Sequence, residues 1–148
     1  MKLSTNADYA VRAVYELARH EPGAVVQTHT IAVAQGIPES YLTKVLQQLA
    51  RADLVRTLRG NQGGVALVRA AGEISVRDVY EAVEGPVKLR RCWQRATPCG
   101  DERCATHDFW STIETLLAQE LENVSFAALA ADARKQGGKS VAPATSGR

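Results

Sequence analysis

The sequence lacks long hydrophobic runs and is poor in aromatic residues. No stretch of about 18 consecutive apolar residues occurs, so we predict no membrane-spanning helix and no membrane partner. The opening residues, MKLST, lack the apolar core of a signal peptide, and we therefore expect a cytoplasmic protein. Aromatic residues make up only 5% of the 148 residues, yet a hydrophobic content of 45% suffices for a modest packed core.

Motifs typical of enzymes are also missing. The sequence shows no Gly-rich nucleotide loop, no nucleophile motif and no paired carboxylates suited to a pocket. His20 and His29 are isolated, and we interpret them as surface residues. We therefore predict that the protein is not an enzyme.

Charge is small overall but unevenly distributed. The net charge is +2, but residues 1–91 carry 12 Lys and Arg against 9 Asp and Glu. Residues 92–132 carry 2 cations against 7 acids. A basic front half beside an acidic back half indicates that the front half meets a polyanion.

Apolar periodicity predicts a helix-turn-helix in the front half. A first helix can be capped by Ser4 or Thr5, with Asp8 three residues after Thr5 in the manner of a capping box. A short helix over 28–35 ends at Gly36, and a third helix follows Pro38. The third helix has a buried stripe (Leu42, Val45, Leu46, Leu49) and an outer polar side (Ser40, Lys44, Gln47, Arg51).

A glycine-rich hairpin is predicted directly after the third helix. Residues 54–58 and 65–69 are rich in strand-forming residues, and RGNQGG lies between them. A hairpin in this place is typical of the wing of a winged helix. The predicted DNA-contacting residues are Ser40, Tyr41, Thr43, Lys44 and Gln48 on the helix and Arg59 and Asn61 at the wing tip.

The fold class is thus mainly α with a small β-hairpin wing, followed by a long C-terminal dimerisation helix. We divide the chain into a winged helix-turn-helix domain (1–84), a cysteine-containing loop (85–106), a dimerisation helix with a terminal helix (107–132) and a disordered tail (133–148). A short helix over 74–83 closes the first domain. The long helix, about 106–124, has an apolar stripe formed by Trp110, Ile113, Leu117, Leu121 and Val124, which Phe109 and Leu116 widen. Such a stripe favours a homodimer, and the alternative is that the helix folds back on its own domain.

Three cysteines in the loop suggest a metal centre. The spacing is Cys92-x6-Cys99-x4-Cys104, and His107 follows one helical turn after Cys104. Thiolates favour an iron–sulfur cluster, zinc or copper(I), and a free-thiol redox switch is a further interpretation. Asp8 is another candidate oxygen ligand, although it is remote in sequence.

Several segments together resemble the IscR/NsrR family of iron–sulfur winged-helix repressors. The resemblance spans residues 1–132 and is carried by residues 2–13, by IPESYL at 37–42, by VRTLRGNQGG at 55–64 and by the three cysteines. It implies that Cys92, Cys99 and Cys104 bind the cluster. In the IscR branch the residue matching His107 completes a 2Fe–2S site. In the NsrR branch an Asp from the partner subunit, matching Asp8, completes a 4Fe–4S site.

The sequence carries both candidate fourth ligands, and its cysteine gaps of six and four differ from the usual five and five. We favour His107 and a 2Fe–2S cluster, because the stretch Cys-x-Thr-His-x-x-Trp matches the IscR branch. The resemblance implies a dimeric repressor of a double-stranded DNA operator that senses redox state, nitric oxide or iron–sulfur status. The alternative is the same regulator using zinc or free-thiol chemistry.

Overall fold

A computed structural model describes residues 2–90 and 105–136 of the chain. The elements in chain order are α1 (Thr5–Ala18), α2 (Thr28–Gln35), α3 (Glu39–Arg51), β1 (Val55–Leu58), β2 (Gly64–Leu67), a 3-10 turn (Ala71–Glu73), α4 (Val76–Glu84), α5 (Ala105–Asn123) and α6 (Phe126–Lys135). This order of three helices, a hairpin and further helices confirms the predicted winged-helix architecture.

The first helix is capped by Ser4, whose side-chain oxygen accepts a hydrogen bond from the Ala7 N–H at 3.0 Å. The predicted capping box between Thr5 and Asp8 is wrong, because Thr5 is already helical and Ala7 occupies the third position after the cap. The Asp8 carboxylate instead pairs with Arg12, one turn further along the helix. The Ser4 hydroxyl also donates to Glu84, which ties the start of α1 to the end of α4.

The turn between α2 and α3 has the predicted chemistry. Gly36 follows the last residue of α2 with φ +63°, a left-handed conformation in which a side chain would be strained. Pro38 then precedes α3 in an extended conformation, where its missing N–H costs no helical hydrogen bond. These two residues set the sharp change of direction between the two helices.

The wing is an antiparallel hairpin in which Val55 pairs with Leu67 and Leu58 with Gly64. Val26, in the α1–α2 connection, forms an additional antiparallel β-bridge to the hairpin, which was not predicted from the sequence. Its N–H and C=O both bond to Val65 at 2.8 Å. A Cβ on Gly64 would lie 2.4 Å from the Val26 carbonyl oxygen, so only glycine permits this close approach.

The helix after the wing begins with a local capping motif. Ser75 and Asp78 form a reciprocal capping box at the start of α4. The Phe126 N–H bonds to the Ile74 carbonyl at 3.1 Å, so the beginnings of α4 and α6 are held side by side.

One hydrophobic core lies around α1. It combines buried residues of α1, α2, α3, the wing and α4 with Phe126 and Ala130 of α6. Phe126 is fully buried, so α6 packs into the winged-helix core although it follows the long helix in sequence. Residues of both 1–84 and 107–132 thus contribute to this core.

The C-terminal helix is longer than predicted. α6 ends at Lys135, beyond the predicted limit of 132, so the first residues of the predicted disordered tail are helical. Its alanine-rich sequence has high helix propensity, and Arg134 and Lys135 complement the negative end of the helix dipole. The rest of the predicted tail, from residue 137, lies outside the described residues.

The long helix α5 lies within one residue of its predicted bounds at both ends. Most of the predicted cysteine loop, residues 91–104, lies outside the described residues. Within residues 2–90 and 105–136, no helix is long and apolar enough to cross a membrane.

Candidate nucleic-acid interface and metal site

α3 presents a polar face to solvent opposite its buried stripe. Ser40, Tyr41, Thr43 and Lys44 are exposed, and Gln48 is half-buried at the flank of this face. The Thr43 hydroxyl donates to the Glu39 carbonyl at 3.0 Å, within the helix. The helix is fixed to the core by four fully or almost fully buried residues, namely Leu42, Val45, Leu46 and Leu49.

The predicted contact set omits two residues that belong to the same face. Gln47 and Arg51 are both exposed and lie in line with Ser40 and Lys44 at helical spacing. Sequence analysis placed them on the outer side but did not include them among the contacts. The spacing alone suffices to find them, and Arg51 adds a second cation to the face.

Tyr41 is positioned by a contact with α1. Its ring meets that of Tyr9 edge to face, with ring centroids 5.1 Å apart and planes at 88°. Edge-to-face pairs are favourable because the positive ring edge meets the negative ring face. The contact holds one exposed side chain of α3 in a defined place.

The wing tip carries the predicted Arg59 and Asn61, both exposed. Gly60 between them has φ +107°, a conformation that residues with a side chain rarely adopt. A Cβ on Gly63 would lie 2.3 Å from the Leu58 carbonyl oxygen, so this turn also requires glycine. The glycines thus place Arg59 at the end of a narrow loop.

The predicted metal ligands fall in two groups. Cys92, Cys99 and Cys104 lie outside the described residues, whereas Asp8 and His107 lie within them. Within residues 2–90 and 105–136, no group of three or more His, Cys, Asp or Glu side chains forms a metal site.

The two candidate fourth ligands differ in their surroundings. Asp8 on α1 is half-exposed and forms an ion pair with Arg12 at 3.1 Å. His107 is exposed in the first turn of α5, and its Nδ1 lies 3.3 Å from the Asp108 carboxylate. A carboxylate beside one ring nitrogen, with the other nitrogen available to a metal, is a common arrangement of histidine ligands.

A buried carboxylate fastens the segment before the cysteines to α5. Glu114 is 5% exposed and accepts hydrogen bonds from the backbone N–H of Leu89 at 2.7 Å and of Arg90 at 3.2 Å. The Arg90 guanidinium pairs with the same carboxylate at 3.0 Å. Sequence analysis missed Glu114, although it lies four residues after Trp110 and three before Leu117, on the packed side of the helix.

The electrostatics of Glu114 follow from these contacts. Burial raises the pKa of its carboxyl, but the hydrogen bonds from Leu89 and Arg90 and the positive charge of Arg90 more than offset burial. The net effect is a lowered pKa, and the group is ionised at neutral pH.

The apolar stripe of α5 is only partly covered. α5 packs on α4, where Ile113 and Leu117 are half-buried. Phe109, Trp110 and Leu116 remain 57%, 40% and 56% exposed. The stripe therefore extends beyond the surface that α4 covers, and its outer part faces away from the core.

Comparison with known proteins assigns the family. Residues 3–132 match the Rrf2 family, described as iron-dependent transcriptional regulators. An HTH-type transcriptional regulator of Mycobacterium tuberculosis (strain H37Rv) is 37% identical over 134 residues, which cover 90% of this chain and 83% of the relative. These relatives are transcription regulators, not enzymes.

Two solved structures show the same architecture. The structure of CymR (YrzC), the global cysteine regulator of B. subtilis, superposes with a TM-score of 0.76 at 26% identity, covering 89% of this chain and 98% of CymR. T. potens IscR superposes with a TM-score of 0.75 at 29% identity, covering 93% of this chain and 91% of IscR. The chain belongs to the Rrf2 family and is a transcriptional regulator of the IscR and CymR type.

Proposed function

We propose that the chain is a homodimeric repressor whose binding to a double-stranded DNA operator is controlled by an iron–sulfur cluster. The cluster would be bound by Cys92, Cys99 and Cys104, with His107 as the favoured fourth ligand and Asp8 as the alternative. A 2Fe–2S cluster is favoured and a 4Fe–4S cluster is the other form considered. When bound, it would supply a centre that reacts to redox state, nitric oxide or iron–sulfur supply.

The observation that carries DNA binding is the combination of the α3 face with the wing. An exposed helix face bearing Lys44, Gln47 and Arg51 has the donors that the major groove requires. The wing extends from the same core and carries Arg59, which suits a narrow minor groove. The half-buried Gln48 and the exposed Ser40, Tyr41, Thr43 and Asn61 complete the proposed contact set.

The donor set fits an iron–sulfur cluster. Thiolates are the usual ligands of such clusters, and imidazole also serves in some 2Fe–2S centres. His107 is favoured as the fourth ligand because Asp108 can orient its ring. Asp8 is less suited to be the fourth ligand, because its carboxylate is already paired with Arg12.

Glu114 supports a coupling between the cysteine loop and the dimer helix. It joins residues 89 and 90, just before Cys92, to the middle of α5. A change in the loop would therefore act directly on α5. If α5 forms the dimer interface, the spacing of the two recognition helices changes with it.

The experiment is purification without oxygen, followed by visible absorption, iron and sulfide analysis, and operator binding with and without the cluster. We expect a brown protein with two irons per chain and an operator affinity that changes when the cluster is lost. The variant Cys99→Ala is expected to lose both the colour and this change. An operator affinity that is the same with and without cluster would refute the proposal.

A second candidate function is favoured by the likeness to CymR. In this second function, the winged-helix regulator uses zinc or reversible thiol oxidation at the three cysteines in place of a cluster. A colourless protein purified without oxygen, with one zinc per chain or with titratable thiols, that fails to take up iron and sulfide would select this function.

A further inference from the structure

We propose that a groove at the base of the wing binds a small organic anion that carries carboxylate or phosphate groups. This basal groove lies between the C-terminal end of α1 with its following loop, the base of the hairpin and α6. Its volume is about 820 Å³, within the usual range for ligand sites. The wing tip with Arg59 does not line it.

The charge of the basal groove favours an anion. Five of its six titratable lining residues are basic, and the exception is Glu21. Arg19 and His20 share the buried carboxylate of Glu16, at 3.2 and 3.3 Å. The guanidinium groups of the other three cations, Arg56, Arg69 and Arg134, form no ion pair or hydrogen bond with any side chain or backbone group of residues 2–90 and 105–136.

Three exposed guanidinium groups without a protein partner line one groove, and their positive charge would attract an anion. Arginine is suited to this role, because its planar fork donates two parallel hydrogen bonds to a carboxylate or a phosphate. Arg56 comes from β1, Arg69 from the segment after β2 and Arg134 from α6.

The walls between the arginines are apolar, which favours an organic anion over an inorganic one. They include Leu67, the exposed Val68 and the alanines of α6 at 127, 130 and 131. A ligand with a short hydrocarbon body covers these groups, whereas inorganic phosphate leaves them in contact with water.

The two longer segments outside the described residues are poor candidates for the occupant of the groove. Residues 137–148, which follow α6, contain Lys139 and Arg148 and no acid. Residues 91–104 carry three arginines against two acids. Residues 137–148 carry only cationic side chains among their charged residues, and the proposed function assigns residues 91–104 to the cluster, so we assign the groove to a separate small molecule.

Because of its position, the groove would allow a bound ligand to affect the wing. Arg56 and Leu67 belong to the two paired strands, and the Val68 N–H bonds to the Leu54 carbonyl at 3.1 Å beside them. An anion held by Arg56 and Arg134 would link the hairpin to α6. Such a link restrains the wing and changes its affinity for DNA.

The test is calorimetric titration of the full chain with citrate, fructose 1,6-bisphosphate and inorganic phosphate, without DNA. We expect at least one of the two organic anions to bind more tightly than inorganic phosphate. Arg69→Gln with Arg134→Gln is expected to weaken that binding by at least about tenfold, since each loses a charge-assisted hydrogen bond. The single variant Arg134→Gln gives a smaller loss, and thermal unfolding checks that each variant is folded.

The matched control is Arg51→Gln, which removes an exposed arginine of α3 outside the groove. It is expected to weaken DNA binding and leave anion binding unchanged, the reverse of the groove variants. Binding of neither organic anion below about 10 mM would overturn the proposal. So would equal affinity in the double variant, or a loss of DNA affinity in it without any anion binding by the wild type.

Discussion

At the scale of single residues, Glu114 makes the most specific contacts of any charged group on α5. Its carboxylate satisfies two backbone N–H groups and Arg90 in a buried place. We expect Glu114→Gln to lower the free energy of unfolding by about 2 kcal/mol, because Arg90 then lacks a charged partner. Urea unfolding at pH 7 measures this loss. Glu120→Gln, an exposed position on the same helix, should change stability by less than about 0.5 kcal/mol.

The lowered pKa of Glu114 also predicts how this loss depends on pH. In the unfolded chain its pKa returns to the ordinary value of 4.5, so the unfolded state binds the proton more readily. The stabilisation by the carboxylate is complete above that value and disappears as the pH falls through the lower native pKa. The difference between wild type and Glu114→Gln should therefore shrink below pH 4.5. A difference that grows on acidification would contradict the assigned contacts.

The two candidate fourth ligands, His107 and Asp8, lead to different predictions. His107→Ala is expected to reduce bound iron and shift the visible spectrum of anaerobically purified protein, because a ligand is removed. Asp8→Asn is expected to keep both, because Asp8 is held by Arg12. If the Asn variant alone loses the cluster, Asp8 is the ligand and the site is of the NsrR type.

At the scale of elements, α3 has the charge that a DNA-contacting helix requires. Lys44→Ala is expected to weaken operator binding and to reduce the slope of log affinity against log salt by about 1 per protomer, because one phosphate contact is lost. Binding measured at several salt concentrations tests this. Lys135→Ala on α6 removes an exposed lysine elsewhere and should leave the slope unchanged.

The wing depends on glycine at a position that sequence alone does not single out. Gly64→Ala should cost about 1–3 kcal/mol, because its Cβ would meet the Val26 backbone at 2.4 Å. Gly72→Ala is the matched control, since its Cβ would lie 3.8 Å from that of Ala127, in ordinary contact. Denaturant unfolding of the two variants should differ clearly, and equal stability would show that the Val26–Val65 pairing is not retained in solution.

Most of the helices could be predicted because their patterns are local. The stripe of Leu42, Val45, Leu46 and Leu49, the stop at Gly36 and the cap at Ser75 are each specified within a few residues. The hairpin could also be predicted from the sequence, because its glycines lie between two strand-forming runs.

The features that sequence analysis missed depend on contacts between distant segments. Val26 pairs with Val65, and Phe126 enters a core formed mainly by residues of the winged helix far earlier in the chain, so no local pattern indicates either contact. Glu114 is an acid on an apolar stripe. Its burial is favourable only because the Leu89 N–H and the Arg90 guanidinium bind its carboxylate. The wrongly predicted capping box at the start of α1 has a local cause. Ser4 and Thr5 are both favoured N-cap residues, and the sequence pattern does not distinguish between them.

At the scale of the whole molecule, α5 has two different apolar surfaces. One side packs on α4 and encloses Glu114, while Phe109 and Leu116 face outward. A single exposed apolar residue is ordinary, but a row along one helix is typical of an interface. The same row lies on the helix that Glu114 joins to the cysteine loop, so an interface there would be sensitive to the loop.

This arrangement predicts that Leu116→Glu disrupts the proposed dimer. A carboxylate at the centre of a two-fold interface meets its own copy and loses water, which costs about 3 kcal/mol and weakens association roughly a hundredfold. Sedimentation equilibrium measures the dissociation constant. Thr115→Glu adds the same charge to an exposed position about 100° around α5 from Leu116 and should leave association unchanged. If both variants stay dimeric with unchanged dissociation constants, the interface lies elsewhere, and the exposed stripe of α5 needs another partner.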